Sequence, residues 1–452
     1  MIAPARVAAY QVLLSVSAGR ADLPDALAAT RPALQDERDR ALAAEIAIGV
    51  QRWRASLDYL IAHFSKRPSG RLDPQVLEIL RLSAYQLLHL TRVPAAAVVD
   101  DAVTLTKRAG KKSAAGLVNA VLRSLSRNRH ALPWPARPDD PGDEAAATSY
   151  LSVTLSHPPW LVTRWLRRFG FDATERWLRF NNMPAPLTIR ANRLRNSPDE
   201  LVERLRGEHV TVTRTRFAPD GFIVTSGHPL RGAGLDAGWF VVQDEASQLV
   251  PLLAGRPAGL RVLDACASPG GKTTALAASM NGSGLLIACD VRDRRMALLH
   301  RTVAASGATI VRLVQADLSK PLPFSRPFDC VLVDAPCSGL GTLRRDPDIR
   351  WKREEADLAS LAAFQLGILA RAAEAVAPGG RLVYATCSSE PEENESVSSA
   401  FLARAHDFHA ADLRTTATDV PPAVIDDSGR FRTLPHVHGL EAFFGVVFER
   451  RG

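Results

Sequence analysis

Apolar residues between positions 4 and 129 recur at three- and four-residue spacing with polar residues between them, which predicts helix throughout that stretch. Leu42, Ile46, Val50, Trp53, Leu57 and Leu60 form one stripe of a long helix with Asp36 as its N-cap. Further helices are predicted at 74–90, 95–108 and 113–127, broken by Pro68-Ser69-Gly70, Pro94 and Gly110-Lys111-Lys112. The pattern then stops. Residues 131–149 carry Pro133, Pro135, Pro138 and Pro141 among acidic residues and alanines, and read as a linker.

From 150 to 240 the periods mix. His157-Pro158-Pro159-Trp160 opens a helix, Asn181-Asn182 closes the next one, and Leu187 to Asn192 reads as a strand. Ser197-Pro198-Asp199-Glu200 has the form of a capping box with proline at the first helical position. Strands follow at 210–215 and 222–226. Beyond 240, short buried runs alternate with helical patterns, giving strands near 260–264, 285–290, 310–316, 328–334, 380–386 and 443–449. The chain therefore reads as multidomain: an all-α domain over 1–130, the linker 131–149, a small α+β subdomain over 150–240, and an α/β domain over 241–452 with a doubly wound sheet.

Charge adds a partner. The net charge of +8 in 452 residues lies in the first domain, where residues 1–135 hold 19 Lys and Arg against 11 Asp and Glu; the remainder is balanced. A polyanion such as RNA suits that surplus, and so does a merely solvated arginine-rich face. Arg190, Arg193, Arg195, Arg214 and Arg216 cluster in the small subdomain, either as surface charge on strands or as phosphate contacts beside the active site. The five cysteines at 266, 289, 330, 337 and 387 include no Cys-x-x-Cys pair, which argues against a disulfide framework or zinc site and for a reducing cytoplasm. Pro435-His436-Val437-His438 offers two histidines with no third ligand nearby, so no metal is expected. No apolar run reaches the roughly 18 residues of a membrane span, and Tyr10 and Gln11 argue against a leader in the first helix.

Residues 260–274 hold the strongest signal. Leu260 to Leu263 form a short buried strand, and Pro269-Gly270-Gly271 turn the chain into a helix near Lys272. A phosphate loop requires glycine where Cys266 stands, and the dinucleotide fingerprint Gly-x-Gly-x-x-Gly is absent. S-adenosylmethionine, which needs close backbone approach to an adenosine and an amino acid, is the remaining candidate. Asp290 ends the second strand, where it can accept both hydroxyls of a ribose, and Asp317 ends the third, where it can accept from an adenine amino group.

The run Asp264 to Thr273, Asp-Ala-Cys-Ala-Ser-Pro-Gly-Gly-Lys-Thr, resembles the first motif of the RNA cytosine-C5 methyltransferases. C5 of cytosine is not nucleophilic by itself. A thiolate must add to C6 first, and an acid must steady the charge at N3. The fourth strand ends in Asp334-Ala335-Pro336-Cys337-Ser338-Gly339 and the fifth in Ala385-Thr386-Cys387-Ser388, followed by Pro391-Glu392-Glu393-Asn394. Sequence logic alone leaves open which thiol attacks, because DNA cytosine methyltransferases attack from a Pro-Cys motif.

These stretches are similar to the two cysteine motifs of the RNA family. The resemblance implies Cys387 as nucleophile, Cys337 as the thiol that helps break the covalent adduct, and Asp334 as the acid. It further implies a Rossmann-like class I methyltransferase domain in which Cys266, Ala267, Ser268, Pro269, Gly270, Gly271, Lys272, Asp290, Asp317 and Asp334 bind the cofactor. Val118 to Arg123, with the basic segment Lys107–Lys112, resembles the NusB-like RNA-binding domain, and Arg190-Ala191-Asn192-Arg193-Leu194 resembles the family's small RNA-binding subdomain. Arg344 to Trp351 resembles family sequence suited to a flipped base or its phosphates. Glu441-Ala442-Phe443-Phe444 departs from the family's usual Asp-Gly-Phe-Phe. The whole is similar to the Fmu/Sun-type (RsmB-like) 16S rRNA cytosine-C5 methyltransferases, which implies an enzyme acting on 16S rRNA; nothing in the sequence demands more than a monomer. A transfer-RNA cytosine-C5 methyltransferase, or a non-catalytic RNA-binding assembly or antitermination factor, are the other expectations.

Overall fold

Asp36, Asp73, Asp143, Ser197 and Asp244 each accept a hydrogen bond from the first turn of the helix that follows, so side chains fix these helix starts. At Ser197 the capping box is complete: its Oγ accepts from Glu200 N at 3.2 Å while Glu200 Oε2 accepts from Ser197 N at 2.6 Å. The computed structural model describes residues 2–416 and 418–452. Met1, the opening residue of the expected helical domain, and Ala417 lie outside the described residues.

One compact unit runs to Met183 and also takes in Leu343–Arg353. Its helices are α1 (Pro4–Ser17), α2 (Leu23–Thr30), α3 (Glu37–Ser65), α4 (Pro74–His89), α5 (Ala95–Arg108), α6 (Ala115–Arg127), α7 (Glu144–Thr154), α8 (Pro159–Phe169) and α9 (Phe171–Asn182). Leu13, Ile46, Leu57, Leu80, Val118 and Leu122 meet in the core shared by α1, α3, α4, α5 and α6. The stretch expected as a linker over 131–149 is irregular only as far as Asp143, which caps α7 by accepting from Ala146 N at 3.0 Å. Helix α7 then packs on α3, where Ser56 Oγ donates to Val153 O at 2.6 Å. Helices α8 and α9, expected to open the small mixed subdomain, fold with this helical unit.

The second unit holds Pro184–Thr342 and Glu354–Gly452. An antiparallel sheet in the order β2-β3-β1-β4 comprises β1 (Thr188–Ala191), β2 (Thr211–Arg214), β3 (Gly221–Ser226) and β4 (Phe240–Val242), with α10 (Pro198–Gly207) beside it. Strand β4 pairs Ile189 with Val242, so this sheet extends past the expected boundary at 240.

The larger sheet has the order β10-β12-β9-β8-β5-β6-β7, with β11 added on β12. Its strands are β5 (Arg261–Asp264), β6 (Leu285–Asp290), β7 (Val311–Gln315), β8 (Phe328–Asp334), β9 (Val376–Thr386), β10 (Phe408–Ala410), β11 (Phe431–Thr433) and β12 (Phe443–Arg450). Strands β5 to β9 are parallel, and β12 runs antiparallel to β9. Around them lie α11 (Glu245–Leu249), α12 (Gly271–Ser279), α13 (Asp293–Ser306), α14 (Asp357–Glu374) and α15 (Val397–Leu402). The chain leaves β5 toward β6 and β7, then returns to the other flank of β5 as β8 and β9. That reversal opens a crevice at the carboxyl ends of β5 and β8.

Candidate active site

The corner after β5 is shaped by close approach. Gly270 has φ +105°, in the left-handed region that favours glycine, and a Cβ there would sit 3.0 Å from Leu299 Cδ1. Ala267 N donates to Cys289 O at 2.8 Å and Ser268 N to Asp290 Oδ2 at 3.1 Å, which ties the loop to the end of β6. Pro269 leads into α12. Asp290 is buried, and its Oδ1 accepts from Val291 N at 2.8 Å. A cleft beside this corner is lined by Cys266, Asp290, Val291, Asp317, Leu318 and Phe364 among others. Its two carboxylates end adjacent strands, and Val291 and Phe364 are exposed apolar side chains.

Asp264 is fully buried behind the loop. Its Oδ2 accepts from Thr273 Oγ1 at 2.7 Å, while Oδ1 has no partner among the described residues. Burial pushes this carboxyl up to about 7 against the Thr273 hydrogen bond, with help from Asp334 and Asp290. The carboxylates at two strand ends, the tight glycine corner and this orphaned buried oxygen fit an adenosine bearing a cationic amino acid, as S-adenosylmethionine does.

Two thiols meet on the other side of the switch point. Cys337 lies on the loop after β8 and Cys387 on the loop after β9, with their Sγ atoms 3.2 Å apart. Lys272, in the first turn of α12, donates to Asp334 Oδ2 at 2.7 Å. Burial pulls the Lys272 ammonium down, but Asp334 and the nearby Cys387 outweigh it and hold the group above its ordinary value. The Cys337 thiol is pushed well up, first by its hydrogen bond with Cys387 and then by burial and the charges of Cys387 and Glu393.

Glu393 holds both thiol loops. Its Oε1 accepts from Ser338 N at 2.7 Å and Gln365 Nε2 at 2.8 Å; its Oε2 accepts from Ser338 Oγ at 2.6 Å and from Ser388 Oγ. The carboxylate is fully buried and thereby joins the residue after Cys337 to the residue after Cys387. Asn394 adds a second tie, accepting from Thr386 Oγ1 at 2.6 Å and donating to Ser388 O at 3.0 Å. Gly341 N donates to Cys387 O at 3.0 Å, and a Cβ on Gly341 would fall 2.0 Å from Ala442 O, so the two backbones can approach only at glycine.

Residues 252–449 match the family described as 16S rRNA methyltransferase RsmB/F. Residues 157–231 match the RsmF/B-like methyltransferase ferredoxin-like domain, and 3–127 match the NusB family. The chain is 34% identical over 421 residues to the probable ribosomal RNA small subunit methyltransferase B of Bacillus subtilis, covering 92% of each chain. It is also 34% identical over 417 residues to ribosomal RNA small subunit methyltransferase B of Pseudomonas putida, covering 91% of this chain and 92% of that one. The chain belongs to the 16S rRNA methyltransferase RsmB/F family. Among solved structures, that of PH0851 is similar at a TM-score of 0.81 and 25% identity, covering 100% of this chain and 99% of that one. A methyltransferase homologue from Pyrococcus horikoshii is similar at 0.58 and 27%, covering 66% and 97% respectively.

Within this RsmB/F chain, Arg350, Trp351 and Arg190, from two stretches expected to face RNA, make hydrogen bonds inside the protein. Arg350 is fully buried in the helical unit. Its guanidinium donates to the carbonyls of Arg52, Ser156, Asn181 and Leu343 and to Asn182 Oδ1, at 3.0–3.5 Å. Burial pulls it down to about 9. Trp351 Nε1 donates to Gln51 O at 2.6 Å. Arg350 and Trp351 are therefore struts of that unit, held there by these hydrogen bonds. Arg190 is likewise buried, with Nε on Gln243 Oε1 at 2.9 Å and Nη2 on Gly271 O and Thr274 Oγ1 at 3.0 and 2.8 Å. Through Nε and Nη2 it braces the first turn of α12. Arg193, Arg195, Arg214 and Arg216 are exposed. Among the described residues no group of three or more His, Cys, Asp or Glu is placed to hold a metal ion, and no helix is long and apolar enough to cross a membrane.

Sequence reasoning did not single out Phe364, Val291, Gln365 or the joint role of Glu393. Phe364 and Val291 carry a signal only in retrospect, as exposed apolar side chains at a strand-end cleft.

Proposed function

We propose that this RsmB/F chain methylates C5 of a cytidine in 16S rRNA, with S-adenosylmethionine as donor and Cys387 as covalent nucleophile. The observation that carries the reading is the 3.2 Å approach of the two thiols at the switch point beside the Lys272–Asp334 pair. Ribosomal substrate is supported by the relatives named ribosomal RNA small subunit methyltransferase B.

Cys337, pushed up, keeps its proton and can donate S–H across the 3.2 Å gap. The Cys387 sulfur, near the Lys272 ammonium, adds as a thiolate to C6 of a flipped cytosine. Asp334 steadies the charge at N3 with the proton Lys272 shares with it. S-adenosylmethionine, when bound, supplies the electrophilic methyl group that C5 takes up. Asp290 would hold its ribose hydroxyls, Asp317 its adenine amino group, and Val291 and Phe364 its ring faces. Loss of the C5 proton to solvent breaks the C6–sulfur bond, and the departing Cys387 thiolate returns to the Cys337 S–H. The N3 proton goes back to the Lys272–Asp334 pair, and the site is restored.

The test incubates wild type, Cys337→Ala and Cys387→Ala with labelled S-adenosylmethionine and 16S rRNA, followed by denaturing gels and mapping of 5-methylcytidine. A covalent protein–RNA adduct in Cys337→Ala, with neither adduct nor product in Cys387→Ala, supports the roles. Methylation by Cys387→Ala would transfer the nucleophile's role to Cys337. Label in transfer RNA and none in 16S rRNA would keep the chemistry and overturn the substrate.

A further inference from the structure

A second cavity, of about 560 Å³, opens on the face of α12 that carries Ala275, Ala278 and Ser279. That volume lies within the roughly 300–1,000 Å³ of small-molecule sites. Arg190, Arg193, Phe217, Asp220, Arg256 and Asp419 line it, all from the second unit. The cofactor corner described above shares none of these residues.

The three arginines differ. Arg193 pairs with Asp220 at 2.6 Å and Arg256 with Asp419 at 3.8 Å, so both bring their own carboxylate. Arg190 does not. Its hydrogen bonds use Nε and Nη2 on neutral acceptors, none uses Nη1, and Asp220 acts on it only through space. A buried cation whose hydrogen bonds all go to neutral acceptors is costly to keep, and burial pulls this guanidinium down to about 10 against the charge of Asp220. An anion entering the cavity would offset that cost with a charge-assisted hydrogen bond. Phe217 is half-buried on the wall, with Arg216 over its ring at 4.8 Å, and offers the aromatic face on which a base stacks.

We propose that this cavity is a nucleotide subsite that takes one phosphate on Arg190 and packs its base against Phe217. The nucleotide belongs either to the RNA substrate or to a free nucleoside monophosphate; the chemistry recognised is the same. The RNA form rests on the proposed function above. The subsite would then let Arg190, which also holds Gly271 and Thr274, couple RNA engagement to the first turn of the cofactor helix.

Ser279 is exposed on the α12 wall, so Ser279→Trp places an indole in the cavity; Phe217→Ala removes the stacking face instead. Binding of a 16S rRNA fragment, of adenosine 5′-monophosphate and of S-adenosylmethionine is titrated for wild type and both variants. The expected result is an RNA affinity about tenfold weaker in each variant, with S-adenosylmethionine affinity unchanged. Loss of adenosine 5′-monophosphate binding in Ser279→Trp would mean that free nucleotides are accepted, and its absence from wild type would assign the subsite to RNA alone. Unchanged affinity for both ligands in both variants overturns the proposal. Should Ser279→Trp fail to bind S-adenosylmethionine, Phe217→Ala decides together with the position at which 4-thiouridine-containing RNA crosslinks. Absence of methyl transfer with this RNA binding intact would strike the proposed reaction and leave the subsite standing.

Discussion

The loops after β8 and β9 share a Cys-Ser pair and differ in what surrounds their sulfur. Each follows a parallel strand, carries a cysteine and then a serine, and is gripped by Glu393 through that serine. Cys337 is pushed up first by its hydrogen bond with Cys387, then by burial and the charges of Cys387 and Glu393. Cys387 lies near the Lys272 ammonium. Two residues of one type in nearly one setting thus meet different neighbours, and the proposed reaction gives them different tasks.

Removing either sulfur breaks the comparison most sharply. Cys387→Ala is expected to lower turnover by about four orders of magnitude or more, because the other thiol at the site, Cys337, is pushed up and keeps its proton. Cys337→Ala keeps the first methyl transfer but slows later turnovers by about a hundredfold, because the leaving thiolate loses its donor. Single- and multiple-turnover assays on the same RNA separate the two. Equal loss of the first turnover in both variants would erase the division of labour.

The grip itself comes next. In Glu393→Gln an amide –NH₂ replaces one oxygen and meets donors from Ser338, Ser388 or Gln365, since all four contacts of Glu393 are accepted hydrogen bonds. A stability loss of about 1–3 kcal/mol is expected from the donors left unpaired. The fall in kcat should be some tenfold to hundredfold, with S-adenosylmethionine affinity unchanged because Glu393 does not line that cleft. A merely structural role would move stability and leave kcat at saturating RNA untouched.

Much of this site was legible before any coordinates. The glycine corner, the Asp endings of β6 and β8, and both cysteines announce themselves because a parallel sheet collects its strand ends on one edge. Asp36 and Ser197 mark helix starts through chemistry that is local in the chain. What stayed hidden is non-local. Glu393 reads as one acid in a motif, and only the meeting of two loops, fifty residues apart at Ser338 and Ser388, makes it a clamp. Arg350 follows Cys337 closely in sequence, yet its guanidinium is spent on carbonyls of the helical unit, and no spacing rule says which core a segment will join. Strands β10 and β11, at three residues each, are too short to show a period.

Alkylation sharpens the contrast at smaller scale. The raised Cys337 thiol should resist iodoacetamide at pH 8 in wild type, since its thiolate grows only above its shifted value. In Cys387→Ala the first cause of that shift is gone, and the pH at which Cys337 is modified, followed by mass spectrometry, should move down. An unmoved profile would mean that burial and Glu393, rather than the facing sulfur, hold Cys337 protonated.

The smallest effect is expected where the chain departs from its family's pattern, at Ala442. Its N–H donates to Gly341 O at 3.0 Å, and Gly341 N in turn donates to Cys387 O, so this position supports the Cys387 loop through its main chain. Any residue but proline supplies that donor. Ala442→Gly should therefore change turnover by less than about twofold and cost only about 0.5–1 kcal/mol in urea unfolding, the entropy of a freer unfolded chain. A larger loss of activity at unchanged stability would show that the Ala442 methyl group, buried beside the loop, helps aim the Cys387 sulfur, and the contrast between the two thiols would then rest on packing as well as on charge.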